Sequence, residues 1–343
     1  MKWIHEEGPL GDVVLSSRIR LARNLADSPF PSNMNDSIAD AVVQRVRASI
    51  LGDSSPVKDD YQFLAMKDFS PRDRQVMVEK HLASPDLMEH AERAALLVDK
   101  SEQISIMINE EDHIRLQCIC PGYQLDEAWR SLDNIDDIIE AQLPYSYDEN
   151  LGYLTCCPTN IGTGMRASIM MHLPGLVITG NMNSIIQAIS KIGLTVRGLY
   201  GEGSEALGNI YQISNQVTLG ISEEDIIINL KAIAQQIIEK ERMARKALIE
   251  NGGIKFEDNV WRALGVLTHA QIIDIREFMT LISQVRVGVD MGIIKGVSRK
   301  KLTEIMILGQ PAHLSKYYQE ELASASKDLD IIRAKMVREK LII

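Results

Sequence analysis

The pattern of this 343-residue sequence predicts an α+β fold: an antiparallel sheet flanked by helices, followed by a small all-helical C-terminal domain. Three observations predict it. Ile104, Ile106 and Ile108 alternate with Ser105, Met107 and Asn109, and after Glu110-Glu111-Asp112 the alternation resumes as Ile114, Leu116, Cys118 and Cys120, the pattern of an antiparallel hairpin. Further strand-like segments follow one another directly, with helices interspersed irregularly. From Val260 onward the periodicity is helical almost throughout.

Taken in order, residues 13–21 alternate as a strand, with Ser16, Arg18 and Arg20 on one face and Leu15, Ser17, Ile19 and Leu21 on the other. Ile38, Val42, Val46 and Ile50 recur at helical spacing behind Asp36, read as the N-cap. Ser70-Pro71 opens another helix, with proline where a missing N–H costs nothing. A helix is expected near 123–143, and strands at 152–157, 166–172, 176–179, 194–196 and 210–217. Ser222-Glu223-Glu224-Asp225 starts a long helix in capping-box style, and Asn251-Gly252-Gly253 is an ordinary helix stop. That stop divides the chain into a domain of residues 1–252 and a helical domain of 253–343.

Composition narrows the function. A formal charge of −10 argues against nucleic acid as a partner, because nonspecific binding there rests on neutralising phosphates. No run of about 18 apolar residues is present to span a membrane, and the first residues lack the apolar stretch of a secretory signal, so a cytoplasmic location is expected. Four cysteines, at 118, 120, 156 and 157, are too few and too closely paired for a disulfide framework or a structural zinc site, so no metal ligands are assigned.

The chemistry gathers around arginines. Arg166 follows a glycine-containing run, and Arg197 opens Arg-Gly-Leu-Tyr-Gly-Glu-Gly. Glycines let a backbone approach a ligand, and guanidinium forks suit phosphate oxygens. No Gly-x-x-x-x-Gly-Lys-[Ser/Thr] run exists, which excludes a P-loop. Ser-Ser-Arg-Ile-Arg (16–20), Asn-Glu-Glu-Asp-His-Ile-Arg (109–115) and Cys-Pro-Thr-Asn-Ile-Gly-Thr-Gly-Met-Arg-Ala-Ser (157–168) together resemble the signature blocks of the phosphagen (ATP:guanido phosphotransferase) kinase family, in that family's order. The resemblance implies ATP as co-substrate, with Mg²⁺ carried on it. It also implies a nucleotide site of Ser16, Ser17, Arg18, Arg20, His81, Arg115, Arg166, Ala167, Ser168 and Arg197. Glu111 and Cys157 would be catalytic, the carboxylate clamping the acceptor guanidinium and the thiol lying beside it. For the second carboxylate, the Arg-to-Glu spacing from Arg197 selects Glu202. Counting back from Tyr211-Gln212-Ile213-Ser214-Asn215 selects Glu205 instead, and puts Tyr200 where an arginine belongs.

Metabolite kinases of this family carry a helical domain of about a hundred residues before the catalytic one. Here the first signature block starts at residue 16 and a helical segment follows the catalytic part instead. That arrangement resembles the family's protein-arginine kinases. It implies arginine-bearing proteins as substrates, marked for a ClpC-type unfoldase and its protease, with an activator protein and a homodimer. The readings from other classes are a free-arginine phosphagen kinase and a non-catalytic phosphoarginine-binding adaptor. A phosphoarginine pocket of the form Arg-Asp-x-x-Arg-Ala would fall on Asp330, Arg333 and Ala334, with Leu329 in place of the first arginine.

Overall fold

A computed structural model describes residues 1–198, 206–318 and 328–341. Its strands are β1 (Val14–Arg23), β2 (Tyr61–Ala65), β3 (Ala95–Asp99), β4 (Ile104–Ile108), β5 (Ile114–Pro121), β6 (Tyr147–Asp148), β7 (Gly152–Tyr153), β8 (Met165–His172), β9 (Leu194–Arg197) and β10 (Ile210–Asn215). Eight of them form one sheet in the order β2-β3-β4-β5-β1-β8-β10-β9, antiparallel at every pairing, while β6 and β7 make a separate small hairpin.

Alternation along the strands gives the sheet two different faces. On one, Ile19, Leu21, Leu116, Cys118, Ala167 and Ile169 enter the larger core beneath helices Asp36–Leu51, Leu125–Glu140, Met182–Ser190 and the start of Glu223–His269. Each such large aliphatic side chain, fully buried, contributes about 2 kcal/mol. The opposite face is divided along its length. Ile119, Met170 and Ile210 pack with Trp3 and the C-terminal helices Ile275–Asp290, Arg299–Leu308 and Leu329–Lys340. The other end of that face carries arginines, because Arg18 stands opposite Ile119 and Arg20 opposite Arg166.

The local chemistry explains where the fold departs from the sequence pattern. The pairing of β1 with β8 shifts register between Val14 and Ser16, so Leu15 joins the C-terminal core instead of facing the same way as Ile19. Asn35, not Asp36, caps the first long helix, its side chain accepting from the N–H of Ile38. Ser70 and Ser222 cap their helices as expected, accepting from Asp73 and Asp225.

The strand expected at 176–179 is instead the helix Pro174–Ile178. Both oxygens of the buried Glu241 carboxylate accept from its first N–H groups, at 2.9 Å from Gly175 and 2.9 Å from Leu176. Of the strand expected at 152–157 only Gly152–Tyr153 forms, since Thr155 turns back to donate to the carbonyl of Cys157. The edge strand β2 and its neighbour β3 are not marked by the sequence pattern. The expected stop at Asn251-Gly252-Gly253 is a kink: Gly253 has φ 48° and ψ −133°, and the helix resumes at once and runs to His269. No helix among the described residues is long and apolar enough to cross a membrane.

Candidate active site

The arginine-bearing end of the sheet is roofed by residues 78–86 and flanked by the loop that follows Cys157. Together they enclose a cavity of about 420 Å³. Five arginines drawn from four strands line it: Arg18 and Arg20 (β1), Arg115 (β5), Arg166 (β8) and Arg197 (β9). The five side chains fall on strands β1, β5, β8 and β9, and the antiparallel register brings them together. Arg18 donates to the Gln212 side-chain oxygen at 2.6 Å, and Arg166 reaches the Ser214 hydroxyl at 3.3 Å.

This is a costly cluster of like charge. Burial, with the neighbouring Arg166 and Arg115, pushes Arg18 down to about 10. Burial and the same crowd, Arg18 first among them, lower Arg20 further below its ordinary value. An anion with several oxygens relieves both penalties at once, and phosphate groups suit the guanidinium forks. His81 lies against the same wall, and burial plus Arg18 and Arg20 push it down to about 3, so it stays neutral at physiological pH.

Glu111 and Cys157 line the cavity too. The hairpin turn between β4 and β5 presents Glu111, closed by Asn109 N–H donating to the His113 carbonyl at 2.9 Å. Asp112, fully buried, ties that turn to the cysteine loop. One of its oxygens accepts from the backbone N–H of Cys156 at 2.7 Å and from the Asn24 amide at 2.6 Å. The thiol of Cys157 lies 3.0 Å from the Thr159 hydroxyl.

Arg115 does not pair with Asp112, the acidic residue nearest to it in sequence. It pairs instead with Glu110, donating at 2.6 Å to a carboxylate that is buried and also accepts from the Ser84 hydroxyl. Burial works against ionisation of Glu110, but the Arg115 charge and these hydrogen bonds hold it below the ordinary carboxylate range. Glu111 goes the other way. Burial, reinforced by Asp112 and Glu110, raises it despite Arg115. Two adjacent carboxylates are thus pushed apart, Glu110 held ionised beside Arg115 and Glu111 made the more easily protonated.

Not every expected residue faces the cavity. Ser17 points to the apolar side, where its hydroxyl donates to the Gly122 carbonyl at 2.8 Å and accepts from Gln124 N–H at 2.9 Å. Ala167 is buried in the larger core, and its N–H is taken by the Asn215 side chain at 2.8 Å. Ser16 and Ser168 are buried in the sheet and are not among the lining residues.

The glycines of the 162–164 run approach protein backbone, not an open ligand site. At Gly162, φ is +112° and a Cβ would lie 2.1 Å from the Thr218 carbonyl oxygen; at Gly164, φ is +62° and a Cβ would lie 2.6 Å from that of Ala22. Glu202 and Glu205 lie outside the described residues. In the C-terminal helices, Arg333 is buried and donates to the carbonyls of Gly309 and Ile273, each at 2.9 Å, and to Asp330. The sequence gives no site role to Glu110, Asp112, Gln117, Gln212 or Asp86, although Glu110, Asp112 and Gln212 lie within the strings quoted above.

A carboxylate can take a proton only when ionised, so a reaction that uses Glu111 as proton acceptor would be lost as pH falls through its raised pKa. The acid limb of kcat/KM against pH is therefore expected above the ordinary glutamate value of about 4.3. His81→Gln should leave that limb in place, because His81 does not titrate there. A limb at or below the ordinary value, or one that vanishes in His81→Gln, would contradict this assignment.

This fold and site define an ATP-dependent phosphotransferase. The chain belongs to the ATP:guanido phosphotransferase family, whose C-terminal catalytic domain model matches residues 41–244. The model of the protein-arginine kinase McsB C-terminal domain matches residues 253–342. A protein-arginine kinase of Geobacillus sp. (strain WCH70) is 50% identical over 339 residues, covering 99% of this chain and 93% of that protein. One of Bacillus cereus (strain B4264) is 49% identical over 99% of this chain and 95% of its own. Among solved structures, a lombricine kinase has a TM-score of 0.60 at 23% identity, covering 72% of this chain and 70% of that one. The duplicated taurocyamine kinase of Schistosoma mansoni has a TM-score of 0.61 at 23% identity, covering 77% of this chain and 40% of that one. At those identities the structural likeness shows the fold alone.

Proposed function

We propose that this chain transfers the γ-phosphoryl group of ATP to arginine side chains held in proteins. The observation that carries the chemistry is the single cavity in which Arg18, Arg20, Arg115, Arg166 and Arg197 face Glu111 and Cys157. The full-length likeness to protein-arginine kinases supports the choice of acceptor. In this reading the arginines hold the nucleotide phosphates and neutralise charge that builds on them. Glu111 aligns the acceptor guanidinium and takes the proton from the attacking nitrogen. A nitrogen–phosphorus bond forms as the bond from the γ-phosphorus to the bridging oxygen breaks, and ADP leaves with that electron pair. A guanidinium with pKa above about 12 is a poor nucleophile, so the tuned carboxylate is the group the reaction needs most. Cys157 would pack against the guanidinium and fix its plane.

Mg²⁺ fits as a companion of the phosphates. Among the described residues no group of three or more His, Cys, Asp or Glu forms a cage, and this ion commonly keeps water and phosphate oxygens as ligands. When bound it would neutralise phosphate charge. Residues 1–252 form the catalytic domain in this proposal, and 253–343 a helical domain for substrate recognition and dimer formation. Delivery of marked proteins to a ClpC-type unfoldase, an activator protein, a homodimer and a cytoplasmic setting enter from the family resemblance alone.

Incubation with Mg-ATP and casein, read by mass spectrometry, is expected to place acid-labile phosphate on arginine. Phosphate confined to serine, threonine or tyrosine, or absent, would overturn the proposal. Glu202→Gln is expected to abolish the same transfer and Glu205→Gln to retain it. The reverse result would move the second carboxylate to Glu205.

A further inference from the structure

Glu111 has a second side. Beyond it lies another cavity, of about 450 Å³, whose wall includes Pro31, Ser32, Met34, His90, Glu110 and Cys156. Glu111 is shared between the two cavities, and the consecutive cysteines divide between them, Cys157 lining the first and Cys156 the second. None of the five clustered arginines borders this second space.

Its frame is built from fixed contacts. Arg93 donates to the Met34 carbonyl at 3.2 Å and pairs with Asp36 at 2.6 Å. Asn109, at the foot of the hairpin turn, donates to the carbonyls of Arg93 at 2.9 Å and Ala39 at 3.0 Å. Pro31, Met34 and Cys156 offer apolar surface, and the thiol of Cys156 is kept neutral because burial and Asp112 push it up to about 12. Ser32 and His90, both lining residues, are exposed and belong to different segments of the chain.

We propose that this second cavity is the acceptor channel: it holds the methylene stem of the target arginine and the apolar side chain of a flanking residue in the same polypeptide. The inference rests on the protein-arginine reading above and adds where that polypeptide lies. A guanidinium clamped at Glu111 must face the nucleotide phosphates on one side, so its carbon chain leaves on the other. An arginine stem is three methylenes long and prefers apolar walls while its charged head is held at the end. The cavity lies within the range of small-ligand sites, which is more room than the stem alone requires, and the remainder suits one neighbouring side chain. Arg93 is engaged with Asp36, so the mouth does not select strongly for acidic neighbours.

The test uses two peptides with one arginine each, the residue beside it being leucine in one and glycine in the other. Wild-type protein is expected to show a KM at least fivefold lower for the leucine peptide. Ser32→Trp, which fills the mouth from an exposed position, should raise the KM for the leucine peptide about tenfold and erase the preference, with the KM for ATP unmoved. His90→Trp, at another exposed lining position, should do the same. No preference in the wild type would overturn the channel. So would unchanged peptide KM values in both variants, or a KM for ATP that rises in step with them. Wild-type protein that phosphorylates no arginine, in casein or in either peptide, would instead overturn the underlying reading.

Discussion

Glu111→Gln is expected to lower phosphoryl transfer by at least about a thousandfold while leaving the Kd for ATP within about twofold. The size follows from two losses at once. Removing a positioned general base costs about 10² to 10⁴ in rate, and a neutral amide no longer aligns a guanidinium through charge-assisted bonds. ATP affinity is spared because Glu111 opposes the phosphates' own charge. Arg115, which draws nearest to it at 3.7 Å, keeps Glu110 as its principal partner. Single-turnover transfer and equilibrium nucleotide binding, measured on the same preparation, separate the two effects. A tenfold loss or less would place the proton acceptor elsewhere, with the second carboxylate of the 199–205 segment first in line.

Arg20→Met is expected to act in opposite directions on binding and on stability. Nucleotide affinity should fall about 10- to 100-fold, the worth of one or two hydrogen bonds to a charged group at about 1.5–3 kcal/mol. Without nucleotide, the melting temperature should rise by a few degrees. Arg20 is held among Arg18, Arg115 and Arg166, where burial and repulsion lower its pKa well below the ordinary value. Its Nε is buried without a hydrogen-bond acceptor. A methionine fills much of the same space and removes that penalty, and sites strained for function are where such gains are found. Thermal unfolding with and without ATP reads both signs. A variant less stable than wild type in the absence of nucleotide would show that Arg20 supports the fold.

These two predictions rest on residues that the sequence exposes to different degrees. Arg18 and Arg20 were legible because a strand's period of two puts both on one face, although an Arg-x-Arg pair alone reads as a solvated edge and only the company of the other arginines marks a site. Glu111 was legible because the Ile104–Ile108 and Ile114–Pro121 alternation fixes the turn between them. The resemblance of the Cys157 block to the family's strings then supplied the roles that spacing alone could not.

What stayed hidden depends on contacts far apart in the chain. Asp112 reads as one more charge in a polar turn, and only the folded chain reveals it as the tie to Asn24 and Cys156. Asp112 is nearer to Arg115 in sequence than Glu110 is, and only the hairpin's geometry gives the arginine to Glu110. The helix Pro174–Ile178 looked like a strand because its first turn depends on the carboxylate of Glu241, more than sixty residues away. The edge strand β2 and its neighbour β3 are short, and the partly exposed Tyr61–Ala65 lacks the alternation that marks β4 and β5. The helix continued through Gly252-Gly253 because packing of the C-terminal helices against Trp3, Ile119 and Met170 outweighs a local stop signal worth about 1 kcal/mol.

The acceptor is the central claim, and the most direct measurement puts casein and free L-arginine before the same protein with Mg-ATP, at equal arginine concentration. Phosphoarginine is then counted on each by mass spectrometry. Phosphate on casein arginines with little or none on the free amino acid is the result expected of a cavity entered by a polypeptide. Rapid phosphorylation of free L-arginine with casein untouched would contradict it, and would make this chain a metabolite kinase built on the same site.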